Sequence, residues 1–247
     1  MLELQKVSKS FLDQGRVKPV LEEVNLTIDD GQFVCIVGPS GCGKSTLLRI
    51  MMGLAPPTGG QVLYQGQPVT GVNLRAAMVF QSFALLPWLT VQSNVELGLK
   101  ARDLSNDVAR QRANFYLDKV GLDGYEEAYP AELSSGMKQR AGLARALATE
   151  PDILFMDEPF AGLDALTSAH LREEVITLWA DRALPVHTVV MVTHIIEEAV
   201  LMADRVLVMS SAPGRIVADL PVTFERPRNK RDAGFDALVD SIFEKIV

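Results

Sequence analysis

The chain has 247 residues, 48% of them hydrophobic and 22% charged, a composition that supports a buried core and excludes disorder or collagen-like repeats. Acidic residues outnumber basic ones, 31 to 24, for a net charge of −7, which argues against a free-standing nucleic-acid binder because phosphate contacts rest on Lys and Arg. No apolar run approaches the roughly 20 residues of a spanning helix, no signal-peptide pattern opens the chain, and Cys35 and Cys42, the 2 cysteines, read as free thiols of a reducing, cytoplasmic compartment.

In chain order, Val24, Leu26 and Ile28 alternate as a half-buried strand does. Phe33–Val37 is continuously apolar and reads as a central strand covered on both faces. Gly60–Val69 reads as a hairpin turning at Gln65-Gly66. Ala76–Phe80 is a further strand, and the stretch from about 84 to 150 is helical in character. There Ser105 caps a helix carrying Ala109, Ala113, Tyr116, Leu117 and Val120 on one face, with Gly121 as its stop. Strands follow at Ile153–Met156, Thr188–Val192 and Arg205–Met209. Their alternation with helices predicts a largely parallel α/β sheet. The basic stretch Arg226, Arg228, Lys230 and Arg231 reads as a solvated linker, with contact to anionic lipid as the alternative. Phe235, Leu238, Val239, Ile242, Phe243 and Ile246 fall on one helical face, predicting an amphipathic helix over 233–247.

The chemistry begins at Gly38-Pro39-Ser40-Gly41-Cys42-Gly43-Lys44-Ser45-Thr46, which fits G-x-x-x-x-G-K-[ST] between an apolar strand and a helical run. Glycines let backbone N–H groups approach phosphate oxygens, and the helix start adds its positive dipole end. Lys44 is placed to neutralise the β- and γ-phosphates, and the Ser45 hydroxyl to ligate Mg²⁺. Cys42 lies inside this loop, so alkylation of its thiol is expected to block nucleotide entry. Downstream, Ile153-Leu-Phe-Met-Asp157-Glu158-Pro159 is an apolar strand ending in two acids. Asp157 suits Mg²⁺, and Glu158 suits polarisation of the water that attacks the γ-phosphate.

Between these motifs stands Leu133-Ser134-Ser135-Gly136-Met137-Lys138-Gln139-Arg140. Ser134 is placed as an N-cap, and a helix start with a hydroxyl and backbone N–H groups suits a γ-phosphate. With this octet the chain resembles the ATP-binding cassette family, whose signature reads LSGGQ; Ser135 and Met137 depart from it. The resemblance spans the whole chain. It implies a P-loop NTPase core of RecA-like α/β type, an antiparallel β subdomain and an inserted helical signature subdomain. Residues 1–232 would be the nucleotide-binding domain, with 233–247 as a C-terminal helix.

The resemblance assigns further residues. Gln81 resembles the glutamine that senses Mg²⁺ and the attacking water. Asp164, in Gly162-Leu163-Asp164, resembles the loop that crosses a dimer interface. His194 resembles the switch histidine at the γ-phosphate, and Phe11 the aromatic that stacks on adenine. Ser134, Ser135 and Gly136 would bind the nucleotide held by the opposite subunit. The cofactors implied are ATP and Mg²⁺, with Ser45, Gln81 and Asp157 at the metal and Glu158, His194 and Gln81 in catalysis.

Phe83-Ala-Leu-Leu-Pro87-Trp88 and Met209-Ser-Ser-Ala-Pro-Gly-Arg-Ile216 look like ATPase subunits of nitrate, sulfonate, taurine and bicarbonate importers. Phe235–Phe243 resembles a branch of that group whose members often carry an extra C-terminal domain, expected to be absent from a chain stopping at Val247. The partners implied are transmembrane permease subunits, a second nucleotide-binding subunit (most simply another copy of this chain) and a solute-binding protein. The place implied is the cytoplasmic face of the plasma membrane. An exporter subunit and a soluble non-transport ATPase of the same family are the alternatives.

Overall fold

The structure, a computed structural model, describes residues 1–13 and 15–246. The first half of the chain contains β1 (Leu2–Asp13), β2 (Arg16–Ile28), β3 (Phe33–Val37), α1 (Lys44–Met51), β4 (Gly59–Tyr64), β5 (Gln67–Pro68), β6 (Ala76–Val79), α2 (Val91–Lys100) and α3 (Asn106–Lys119). Then come α4 (Ser135–Ala148), β7 (Ile153–Asp157), α5 (Ala165–Ala180), β8 (Thr188–Val192), α6 (Ile196–Met202), β9 (Arg205–Met209), β10 (Ile216–Pro221) and α7 (Phe235–Ile246). They form two compact units, Met1–Leu74 with Thr188–Val247, and Arg75–His187.

In the first unit, β2-β1-β4-β5 make an antiparallel sheet. The β4–β5 hairpin turns at Gln65 and Gly66 with φ of 50° and 76°, the paired positive values of a type I′ turn, so the Gln-Gly reading holds. β3 lies between β8 and β9 and runs parallel to both. Every residue of β3 and β8 is buried, which is why both read as unbroken apolar runs. β10 pairs antiparallel with β9 at the edge. It went unread because none of its residues is fully buried and it ends in Pro221. α7 packs on α6 and β9 through Phe235 and Ile242, and Val247 lies outside the described residues.

In the stretch before α7 the structure corrects the linker and lipid readings for Arg226 and Arg228, which are half-buried and hydrogen-bonded, while Lys230 and Arg231 are exposed. Arg226 donates to Asp204 at 2.6 Å and to the Met202 carbonyl at 2.6 Å. Arg228 donates to the carbonyls of Phe224 (2.9 Å), Val200 (3.0 Å), Val222 (3.3 Å) and Ala203. Two of those carbonyls belong to the end of α6 and the residue after it, so Arg228 satisfies groups that a helix C-terminus leaves open. Burial pushes the Arg228 guanidinium down to about 10, with Arg226 adding repulsion. Arg226 and Arg228 are structural pins.

In the second unit, β6 and β7 pair in parallel with Val79 opposite Met156, and α2, α3 and α4 pack on one another. Ser105 caps α3 by accepting from the Val108 amide, and Gly121 at φ 65° ends it. Residues 84–90 are irregular rather than helical. α5 was not foreseen. Its apolar residues, among them Leu166, Leu171, Ile176 and Trp179, spread around the helix and leave no single face to read. The legible signal was its N-cap, Asp164, which accepts from the Leu166 and Thr167 amides.

Candidate active site

In the first unit, the loop 38–43 joins β3 to α1. α1 starts after Gly43, whose φ of 102° is reached at little cost only by glycine, which has no Cβ to clash. No side chain caps this start, and its first turn holds no acid. The open amides are therefore paired with the positive end of the helix dipole. Lys44 is buried and donates to the carbonyls of Gly38 (2.7 Å) and Pro39 (3.0 Å). The loop thus places a buried cation at the positive end of a helix, which fits a bound polyphosphate. Cys42 is buried, and burial pushes its thiol up despite the nearby Lys44 charge. The thiol is thereby less reactive than its place in the loop suggested.

The same unit carries His194 and Phe11. His194 is exposed just after β8, and Val192 of β8 stands opposite Ile36 of β3. The histidine and the phosphate loop therefore leave adjacent parallel strands at the same end, where α/β sheets bind ligands. Phe11 sits on β1, 47% exposed, with the Lys9 ammonium 5.1 Å from its ring centre. The ring is exposed rather than spent in the core, with that ammonium over one face.

In the second unit, Gln81 follows β6, while Asp157 ends β7 and Glu158 follows it. Parallel pairing again brings the groups out at one end. Asp157 is buried and Glu158 half-buried. Glu158 has φ 45°, a left-handed conformation that costs a non-glycine residue roughly 1–3 kcal/mol. Among the described residues no group of three His, Cys, Asp or Glu side chains could hold a metal by itself.

α4 begins at the signature. The Ser134 hydroxyl accepts from the Met137 amide at 3.3 Å, capping its own helix while its O–H proton stays available to a ligand. Ser134 and Ser135 are exposed and Gly136 is buried. An atom at the Cβ position of Gly136 would lie 2.6 Å from the Thr167 methyl, so the signature turn and the start of α5 meet at this glycine. Thr167 in turn donates its hydroxyl to Asp164 at 2.6 Å.

The segment after Gln81 is braced from below. Phe83 and Ala84 both have positive φ, 61° and 51°, and Arg145 of α4 holds their carbonyls, that of Phe83 at 2.9 Å. Asn94, fully buried on α2, accepts from the Leu86 amide (2.7 Å) and donates to the carbonyls of Leu86, Leu89 and Thr90. Phe83, Leu85 and Leu86 are half-buried, while Trp88 is 69% exposed. The sequence reading missed Arg145 and Asn94, and it missed Gly214. A Cβ on Gly214 would lie 2.1 Å from the Cys42 carbonyl, so that residue backs the phosphate loop. None of the three belongs to a motif that names its partner; only the Pro-Gly pair at 213–214 marked a turn.

The family model described as ABC transporter matches residues 21–161. The nitrate import ATP-binding protein of Synechocystis sp. is 44% identical over 233 residues, 93% of this chain and 86% of that protein. The aliphatic sulfonates import ATP-binding protein of Bacillus thuringiensis subsp. konkukian is 37% identical over 242 residues, 98% of this chain and 94% of that one. Among solved structures, a dimeric post-hydrolysis state of an ATP-binding cassette bound to ADP and Pi superposes with a TM-score of 0.80 at 32% identity. That match covers 91% of this chain and all of the other.

Proposed function

Because the chain belongs to the ABC transporter family and is one of its ATPases, we propose that it powers an importer of a small anion, of the nitrate or sulfonate kind. The observation that carries the nucleotide site is the α1 start: a glycine-rich turn led by Gly43 and a buried Lys44 that donates to the loop carbonyls of Gly38 and Pro39. Residues 38–46 bind the phosphates, Lys44 carrying the charge on the β- and γ-groups. Phe11 stacks on the base. Glu158 accepts a proton from the attacking water, and His194 hydrogen-bonds the γ-phosphate and that water. Gln81 reports the arrival of nucleotide to the segment that follows it.

Mg²⁺, when bound, neutralises charge building on the phosphate oxygens. Ser45, Asp157 and Gln81 are the residues that would hold it. Ser134, Ser135 and Gly136 bind the nucleotide of a second cassette, with Asp164 at the interface between the two. Each nucleotide then needs both cassettes, and hydrolysis releases them, a two-state element biased by γ-phosphate contacts. Closure drives transmembrane permease subunits. The exposed Trp88, beside the braced turn after Gln81, is the point of contact proposed for them. A solute-binding protein supplies the anion. No helix among the described residues is long and apolar enough to cross a membrane, so attachment to the cytoplasmic face of the membrane runs through the permease. The relatives' names support import and the anion class.

The test is capture with Glu158→Gln, ATP and Mg²⁺ from gently solubilised native membranes, with partners identified by mass. Slowed hydrolysis traps the closed assembly, and a multi-spanning partner is the expected result. Soluble ribosomal or DNA-associated partners alone would refute transport and leave the ATPase chemistry standing.

A further inference from the structure

His194 is exposed in the three-residue link between β8 and α6, and its neighbours fix the backbone that carries it. The Thr193 amide donates to the Ile36 carbonyl at 3.2 Å, fixing the end of β8 to the strand that feeds the phosphate loop. The Thr193 hydroxyl accepts from the Ile195 amide at 3.1 Å and donates to Glu198 Oε2 at 2.8 Å. One hydroxyl therefore ties the peptide after His194 to a carboxylate in the first turn of α6. Thr193 is 2% exposed and Glu198 5%.

A buried carboxylate is costly and needs a compensating partner. A charge-assisted O–H···O⁻ bond is also among the stronger fixings available. It directs the Thr193 O–H toward Glu198, which leaves the oxygen's lone pair to accept from the Ile195 amide. At its other end α6 is held by Arg228, so the helix that carries Glu198 is itself anchored.

We propose that Thr193 and Glu198 are positioning residues for His194, a hydroxyl–carboxylate pair that sets the backbone on both sides of the switch histidine against the phosphate-loop strand. The proposal rests on the reading that His194 acts at the γ-phosphate. Neither residue touches nucleotide; their effect passes through the placement of the imidazole. The consequence is kinetic: loss of the pair impairs the hydrolytic step and spares nucleotide binding, which the phosphate loop provides.

The test is steady-state ATP hydrolysis by the full chain, with Thr193→Val, Thr193→Ser, His194→Ala and the Thr193→Val/His194→Ala double variant. Valine keeps the shape and removes both hydrogen bonds; serine keeps both. T193V is expected to lower kcat about tenfold, equivalent to ~1.4 kcal/mol of barrier, with KM within about twofold. T193S is expected to recover most of the rate. The double variant is expected to be no slower than H194A, since two residues acting through one ring do not add. Wild-type kcat in T193V beside a crippled H194A would overturn the positioning role and leave the histidine reading intact. Full activity in H194A would instead overturn the histidine reading, and the positioning role with it. Equal impairment of T193V and T193S, or a matching rise in KM, would assign Thr193 a merely structural part. Should T193V fail to fold, Glu198→Met removes the buried acceptor and Glu198→Gln, which keeps an acceptor oxygen, serves as its control with the same expected split.

Discussion

Gly136→Ala is the sharpest probe of how the signature turn is built. The new Cβ would sit 2.6 Å from Thr167 Cγ2, about 1 Å inside the ~3.5–4.0 Å of a comfortable carbon contact. Thr167 cannot swing aside cheaply, because its hydroxyl donates to Asp164 Oδ2 at 2.6 Å and its amide to Oδ1 at 3.0 Å. Rotating the side chain would give up part of the α5 cap. Overpacking of this kind costs about 1–3 kcal/mol, and replacing a helical glycine by alanine returns roughly 0.5–1 kcal/mol. The net expectation is destabilisation by about 1–2 kcal/mol. Thr167→Ser removes the methyl that would clash and keeps the hydroxyl on Asp164, so G136A/T167S should recover most of the loss. The assay is urea unfolding of the four members of the cycle, followed by more than one probe because the chain has two compact units. A coupling energy of about 1–2 kcal/mol is expected. G136A as stable as the parent, or a double variant no better than G136A, would refute the packing argument. ATP-dependent association of the same proteins then separates two reasons for a glycine here. Recovery of stability without recovery of association would mean that the bare backbone also serves the nucleotide.

Three further expectations follow from the same geometry. Asn94→Ala removes four side-chain bonds to residues 86–90, leaving the Leu86 and Thr90 carbonyls their backbone donors, so a loss of about 2–4 kcal/mol and faster hydrogen exchange across 84–90 are expected; unchanged exchange there would contradict the bracing role. Asp164 is held below the usual carboxylate range, first by the Thr167 hydroxyl and amide. Because its folded pKa is depressed, the cap contributes fully above the unfolded value of about 3.9 and is lost as pH falls through the folded one. Protection factors of the Leu166 and Thr167 amides should hold down to about pH 4 and drop below it, and Asp164→Asn should abolish that drop. Cys42 is buried with a raised pKa, so N-ethylmaleimide should label it far more slowly in the folded chain than in urea, and nucleotide should slow it further; equal rates would show that the loop opens freely.

The parts of the fold that could be read in the sequence are those whose burial is uniform along an element. β3, β8 and β9 announce themselves because nearly every residue points into a core, and α3 does so by its cap and one apolar face. β10 and α5 failed for opposite reasons. The strand is an edge whose exposed residues alternate with half-buried ones, and the helix has apolar residues on too many sides for a period to stand out. The arginines at 226 and 228 misled because their sequence neighbourhood is basic and polar, while their partners are carbonyls and an aspartate distant along the chain.

The same contrast governs the site. A phosphate loop is local: its glycines, lysine and hydroxyl stand in one run, so their order alone carries the chemistry. The residues that hold such a run in place act over long separations, as Gly214 does on Cys42 and Arg145 on Phe83, and nothing in their own neighbourhood names the partner. Thr193 and Glu198 lie only five positions apart, yet they too escaped notice, because a threonine before a histidine and an acid in a helix's first turn each have an ordinary explanation. Only their shared burial makes the pair costly enough to need a function. A buried hydroxyl–carboxylate contact flanking an exposed histidine is therefore better evidence for a positioned side chain than the histidine's own place in a motif, since the burial penalty would otherwise select an apolar pair there.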